Sequence, residues 1–290
     1  MNRSMRPTVV LVFLGALLAS QPAVAQTVHY VDNIGTCDGL TPCSSTIMDA
    51  VNATASGDSI EVFPGVYHEA VTVDHLHPGI VLRAHTEALR PVIAPPDGSA
   101  AVSIIASPDV QVLNFVLLAP EGPGVRAVFG ASRNTVIRGN LVKALSGISL
   151  TISVSCTVSN NTVLGGGIVL RRASGCVVDG NTVNDASIGL GEFGIGIRNN
   201  LIQQNVVRRG GISLGFTDLG GCCNLVESNF VSGSSGNGLQ ISAVSTNGNI
   251  VQNNTSIENA GCDISDQEFR GGRNIWRNNR FGTKCGAATD

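Results

Sequence analysis

The stretch Cys176-Val177-Val178-Asp179-Gly180-Asn181-Thr182-Val183 returns, with substitutions, along most of the chain, and such a recurring phrase restricts the fold more than any single residue does. Aligned on their asparagine, the copies put Asn114, Asn140, Asn161, Asn181, Asn205, Asn229, Asn254 and Asn279 in one column, separated by 26, 21, 20, 24, 24, 25 and 25 residues. Three positions before each Asn from Asn140 onward stands a large apolar residue: Ile137, Val158, Val178, Ile202, Val226, Val251 or Trp276. Two positions after it stand Val142, Val163, Val183, Val207, Val231, Ser256 and Phe281, a row that Ser256 alone interrupts.

A period of 20 to 26 residues with no helical spacing inside it predicts a solenoid of short strands. Three strands and three bends use up about that length, and parallel stacking repeats equivalent residues about 4.8 Å apart. The expected fold is therefore all-β, a parallel β-helix solenoid of about ten coils. Gly139, Asn160, Gly180, Gln204, Ser228, Asn253 and Asn278 precede the column residues, and several of these types tolerate a left-handed backbone, so a bend belongs there. An Asn stacked on an Asn passes its amide proton to the carbonyl of the next rung, which makes the column a structural ladder.

A second phrase runs beside the first: Gly147-Ile148-Ser149-Leu150, Gly167-Ile168-Val169-Leu170, Ser187-Ile188-Gly189-Leu190, Gly211-Ile212-Ser213-Leu214 and Gly238-Leu239-Gln240-Ile241. Alternation turns Ile and Leu inward and leaves small or weakly polar residues outward, a flat face open to a ligand. Arg171, Arg172, Glu192 and Asp218 follow these strands, with Asp263 and Asp266 on the last rung.

At the start of the chain, Arg3 and Arg6 precede an apolar run from Val9 to Ala19, and Ala23-Val24-Ala25 has the small-x-small form of a cleavage site. Residues 1–25 read as a signal peptide, too short to span a bilayer, leaving a single domain over 26–290 that is secreted or periplasmic. That remainder has 16 basic and 21 acidic side chains, a net charge of −5, which argues against nucleic acid or anionic lipid as a partner; no membrane anchor is expected.

Eight cysteines in an exported chain favour disulfides over a metal site. Cys37 and Cys43 bracket a short Gly- and Pro-bearing loop and are expected to pair. Cys156 and Cys176 both sit five places before their Asn, so they either bridge consecutive rungs or stack as free thiols. Cys262 and Cys285 would tie the last rung to the tail, and Cys222 and Cys223 are left without an assigned partner.

Ser44 to Ala55 has apolar residues at Ile47, Val51 and Ala55 and predicts a short amphipathic helix capping the first rung. The run Thr46-Ile47-x-x-Ala50-Val51, followed by Gly57-Asp58-x-Ile60-x-Val62-x-Pro64-Gly65-x-Tyr67-x-Glu69, resembles the opening of right-handed parallel β-helix proteins of the pectin lyase-like superfamily. The Asn rungs resemble the repeat of its carbohydrate-binding and sugar-hydrolase group, and the likeness spans residues 28 to 285.

This resemblance implies right-handedness and a polysaccharide partner lying along an outward strand face, where charged residues of neighbouring rungs converge. Arg172, Glu192 and Asp218 are the catalytic candidates, with Arg172 holding a uronate carboxylate and the two acids serving as acid and base. Arg171, Asp179 and Glu227 are candidates for substrate binding. Asp179 and Glu227 stand two rungs apart, about 9.6 Å, a separation compatible with an inverting glycosidase. His68, Glu69, His75 and His77 have a spacing that a transition metal can use, but the Pro78-Gly79 that follows suggests an exposed loop, so no metal is assigned. No cofactor is expected, calcium entering by resemblance alone. The pectate lyase calcium and arginine signature, the three-Asp arrangement of polygalacturonases and the Asp-Pro-His of alginate epimerases are missing from the chain. Two classes remain: a secreted protein that binds or processes an extracellular polysaccharide, by lyase, hydrolase or epimerase chemistry if it is an enzyme, and a non-catalytic structural or cell-surface solenoid.

Overall fold

The computed structural model describes residues 26–129, 132–191, 197–215, 222–242, 248–267 and 274–288, so the expected signal peptide lies outside the described residues. Period-2 alternation over very short spans gives strands of two to four residues, and these stack into three long parallel sheets. The first sheet has twelve strands and reaches from Cys43–Ser44 and Val28–Val31 to Ile275–Arg277. The second, from Val66–Tyr67 to Arg280–Phe281, and the third, from Val71–Val73 to Lys284–Gly286, have ten each. Successive coils place one strand in each sheet, which is a β-solenoid.

Registration is in step with the repeat. Ile137, Val158, Val178, Ile202, Val226, Val251 and Trp276 are direct partners down the first sheet and form one buried row of the lumen. Val142, Val163, Val183, Val207 and Val231 form the matching row of the second sheet, and Ser256 continues it. The interruption is satisfied locally, because the fully buried Ser256 hydroxyl donates to the Asp263 carbonyl at 2.6 Å. Each buried Val, Ile or Leu contributes about 1.5–3 kcal/mol, and the rows spread that contribution evenly along the rod.

The corner between the first and second sheets carries the asparagine ladder. Asn140, Asn161, Asn181, Asn205, Asn229, Asn254 and Asn279 are buried, and each accepts at Oδ1 both the backbone N–H and the side-chain amide of the Asn one coil earlier, where there is one. Their amides also donate across the coil to carbonyls, as Asn181 does to Val158 at 2.8 Å. The preceding residues, from Gly139 to Asn278, all have φ between 54° and 70°, the left-handed bend the sequence calls for. Asn114 is a correction: it is one of these bend residues, with φ of 66°, and Phe115 fills the column position, donating its N–H to Asn140 Oδ1. The lumen takes an aromatic ring there, fully buried, which shifts the register by one. One column position is also aromatic in an earlier coil, where Phe63 stacks on His85 at a centroid distance of 4.0 Å.

A second side-chain column at the corner between the third and first sheets did not emerge from the alignment. Asn200, Asn224, Asn249 and Asn274 repeat the ladder geometry, each 24 or 25 residues from the next. Five residues before Asn161 and Asn181 the same positions are Cys156 and Cys176, fully buried and bonded to each other with Cα atoms 4.5 Å apart. Cys37–Cys43 and Cys262–Cys285 pair as expected, and Cys222 is bonded to its neighbour Cys223.

The helix is Ile47–Ala53, shorter than expected at both ends, because Ser44 pairs with Val31 in a strand and Thr54 is extended. Thr46 accepts from the Asp49 N–H, and the Glu69 carboxylate takes the Ile47 and Met48 N–H groups at 2.7 and 2.9 Å. Ile47, Ala50 and Val51 are buried on the first coil, so the apolar end of the lumen is covered.

Candidate functional site

The outward side of the third sheet holds an open groove of about 730 Å³ across three coils, those of Val125–Val128, Ile148–Thr151 and Ile168–Arg171. Its floor comes from strand alternation. Ile148 and Leu150 point inward and are buried, which turns Ser149 and Thr151 outward; Arg126 is the direct partner of Ser149, and Arg171 of Thr151. Two guanidinium groups and two hydroxyls therefore face one concavity, and among the described residues no carboxylate lines it.

Its walls are the flanking corners. Leu145 and Ser146, with Gly166 and Gly167, bound one side, and the exposed Phe129 and Ile152 bound the other. The glycine corner is demanded by stacking: a Cβ on Gly167 would come within 2.2 Å of the Ser187 carbonyl oxygen, and one on Gly166 within 2.3 Å of the Gly147 nitrogen. With no side chains there, that wall stays low. Toward the next coil the face becomes enclosed, because Gly189, the partner of Val169, is buried.

Arg171 and Arg172, adjacent in sequence, diverge in space. Arg171 lines the groove, whereas Arg172 is the exposed bend residue with φ of 52°. Glu192 and Asp218, the candidate acid and base, lie outside the described residues. Asp179 and Glu227 are two rungs apart, as their spacing predicts, and belong to the first sheet, whereas Arg171 belongs to the third. Glu227 accepts from the Gln252 amide, and Gln252 accepts from Arg277, so that row is engaged with itself. Asp263 and Asp266 flank and end the strand Ile264–Asp266 and are buried, Asp266 accepting from the Trp276 indole at 2.9 Å. They serve the end of the rod.

The histidines cluster at the first coils with carboxylates of their own. His77 Nδ1 lies 2.9 Å from Asp74, and His85 Nδ1 lies 2.8 Å from Glu61, which Arg83 also contacts. Burial works to raise the Glu61 pKa, and the His85 and Arg83 hydrogen bonds outweigh it and leave it lowered. Glu69, next to His68, caps the helix. Among the described residues no group of three or more His, Cys, Asp or Glu is placed to hold a metal, and no helix is long and apolar enough to cross a membrane.

The sequence pointed to the third-sheet face but missed Arg126. The signal was present as Gly124-Val125-Arg126-Ala127, the same phrase one coil earlier with Val for Ile and Ala for Leu.

Residues 146–289 match the family model described as right handed beta helix region. No curated protein matches the chain. Among solved structures, the A-module of a mannuronan C-5 epimerase from Azotobacter vinelandii is 17% identical over 76% of this chain and 73% of that one, with a TM-score of 0.51. A DFA-IIIase from Arthrobacter chlorophenolicus is 13% identical over 83% of this chain and 68% of that one, at 0.53. A pectin methylesterase from Aspergillus niger is 17% identical over 93% and 89%, at 0.47. At these identities the likeness is one of fold.

Proposed function

We propose that this chain, whose residues 146–289 match the right handed beta helix region model, binds an acidic extracellular polysaccharide along the third-sheet groove. The observation that carries the reading is that Arg126 and Arg171 line one concavity, on a chain whose acidic residues outnumber its basic ones by 21 to 18. Guanidinium groups match carboxylate geometry in bidentate fashion, Ser149 and Thr151 suit sugar hydroxyls, and Phe129 and Leu145 offer apolar contact to ring faces. The epimerase named above acts on mannuronan, an acidic chain, which agrees with this reading. The four disulfides support an oxidising compartment, secreted or periplasmic, with residues 1–25 as the signal peptide and 26–290 as the mature domain.

The test is binding of a polyuronate and of a neutral glucan of similar length to the purified protein. Retention of the polyuronate alone is expected, weakened in Arg126→Ala and unchanged in Arg277→Ala. Equal retention of both polymers, or an unaffected Arg126→Ala, overturns the reading. Processing is the further step of the same proposal: Glu192 and Asp218 follow strands of the same sheet, beyond Leu190 and Leu214, and are the proposed acid and base beside Arg172. Glu192→Gln that binds but no longer releases product would support that step, and undiminished turnover would end it.

A further inference from the structure

The four disulfides differ in what they can hold. Cys37–Cys43, Cys156–Cys176 and Cys262–Cys285 join residues 6, 20 and 23 apart, and each closes a loop that the unfolded chain would otherwise explore. Cys222–Cys223 joins chain neighbours, a separation of 1. A bond between neighbours closes only a small ring through their own peptide link and ties no distant segments together, so it removes little of the unfolded chain's freedom.

Nor does the local backbone depend on it. The Cys222 N–H donates to the Ile197 carbonyl at 3.0 Å, the Asn199 N–H donates to the Cys222 carbonyl at 3.3 Å, and Cys222 bridges Arg198 in parallel. Cys223 is the bend residue at φ of 64° before Asn224, which is locked between Asn200 and Asn249 in the second ladder. The corner is thus held from both sides without sulfur. Exposure separates the pair from the fully buried Cys156 and Cys176, since Cys223 is exposed and Cys222 half-buried; Cys285 and Cys262 share that exposure, so it is the sequence separation of 1 against 23 that distinguishes those two bridges. Adjacency also sets the two Cα atoms 3.7 Å apart, closer than the roughly 4.4–6.8 Å usual for a bridge.

We propose that Cys222–Cys223 is a thiol-exchange site for low-molecular-weight thiols, and that the other three bridges do the structural holding. The thiolate of the small molecule attacks the exposed Cys223 Sγ. The Sγ–Sγ bond breaks, a mixed disulfide forms on Cys223, and Cys222 leaves as a thiolate that takes a proton from water. A second thiol then attacks the mixed disulfide, giving the oxidised small-molecule disulfide and a reduced Cys222–Cys223 pair. Two electrons pass from two thiols to one protein disulfide.

The experiment titrates the folded, oxidised chain with glutathione and maps adducts by mass spectrometry, alongside a melting curve. The first adduct is expected at Cys222 or Cys223, before any at Cys262 or Cys285, with the melting temperature retained. Exchange that starts at another pair, or that requires denaturant, overturns the proposal. So does finding either cysteine bonded elsewhere in the purified chain. The variant Cys222→Ser with Cys223→Ser is expected to melt like the parent and to lose the first adduct. A loss of melting temperature as large as that of Cys262→Ser with Cys285→Ser would show that the bond is structural, and the proposal would fall.

Discussion

The backbone N–H of Cys176 donates to Oδ1 of Asn200 at 2.9 Å, so the second side-chain column passes from asparagine to cysteine without losing its acceptor. One coil further the Cys156 N–H meets the Cys176 sulfur at 3.2 Å. Sulfur and amide oxygen thus occupy one structural position, and the covalent bridge stands where a ladder hydrogen bond would otherwise run.

If the two are interchangeable, Cys156→Asn with Cys176→Asn should lose less stability than Cys156→Ala with Cys176→Ala. The alanine pair forfeits the cross-link, about 3 kcal/mol by loop closure, and also leaves the buried N–H of residue 156 without its acceptor. The asparagine pair restores that acceptor. Urea melts of the two variants decide the matter; a larger loss for the asparagine pair would mean that the column does not admit amides at these coils.

In the main ladder, Asn181→Ala should cost about 1–3 kcal/mol, because it orphans the buried Asn161 N–H and takes one partner from the Asn161 amide, which keeps Ile137, and one from the Asn205 oxygen, which keeps the residue-181 N–H. Asn224→Ala in the second ladder should cost a similar amount, since it removes the Oδ1 that accepts from Asn200 and the amide that donates to Asn249. Asn184→Ala, outside both columns, should stay within about 0.5 kcal/mol of the parent. Coincident melting temperatures for Asn181→Ala and Asn184→Ala would count against the ladder.

At the end of the rod, Asp263 governs an acid transition. Its burial works to raise the pKa, but hydrogen bonds from the Asn259 side chain and backbone and from the Gly282 and Thr283 N–H groups prevail and hold it below the ordinary 3.8. A lowered folded pKa means that the contribution is complete above the ordinary value and fades as pH drops through the folded one. Asp263→Asn is accordingly expected to melt below the parent at neutral pH, with the gap closing in acid below 3.8. A gap that stays constant from neutral pH into strong acid would remove Asp263 from the account.

For the groove, Arg126→Ala should weaken polyuronate binding about tenfold, equivalent to about 1.4 kcal/mol. Added salt should weaken the parent more steeply than the variant, since the variant has one fewer charge to screen. Binding measured at low and moderate ionic strength provides the check. Parallel salt slopes would place the polymer away from Arg126.

The sequence carried the solenoid because a coil must repeat its core, its bends and its ladder at every turn, and three independent columns agreed on the period. Alignment on asparagine alone misplaced Asn114: the eye follows the amide, while the register follows the lumen, which takes Phe115 there. The second ladder was legible as an Asn five places before Asn205, Asn229, Asn254 and Asn279, but it stops at Cys176, and a column that changes element is invisible to a search for one residue type. The site was harder to read. Which outward side chains share a groove depends on register between strands and on where the face is covered, and neither follows from spacing along one chain. Arg171 was found because it ends a recognisable phrase, and Arg126 was passed over because its phrase is worn.

Because the asparagine-to-asparagine bonds of the ladders run between adjacent coils, the rod has no preferred length of its own; coils are countable units, like beads on a string. Excising residues 181–204 would set Gly180 before Asn205, give Asn161 a new Oδ1 acceptor, and bring Cys176 against Asn224 in the other column, so both seams would close over the cut. Such a chain would scatter X-rays as the same rod shorter by one rung, about 4.8 Å, with its groove untouched on the coils before the cut.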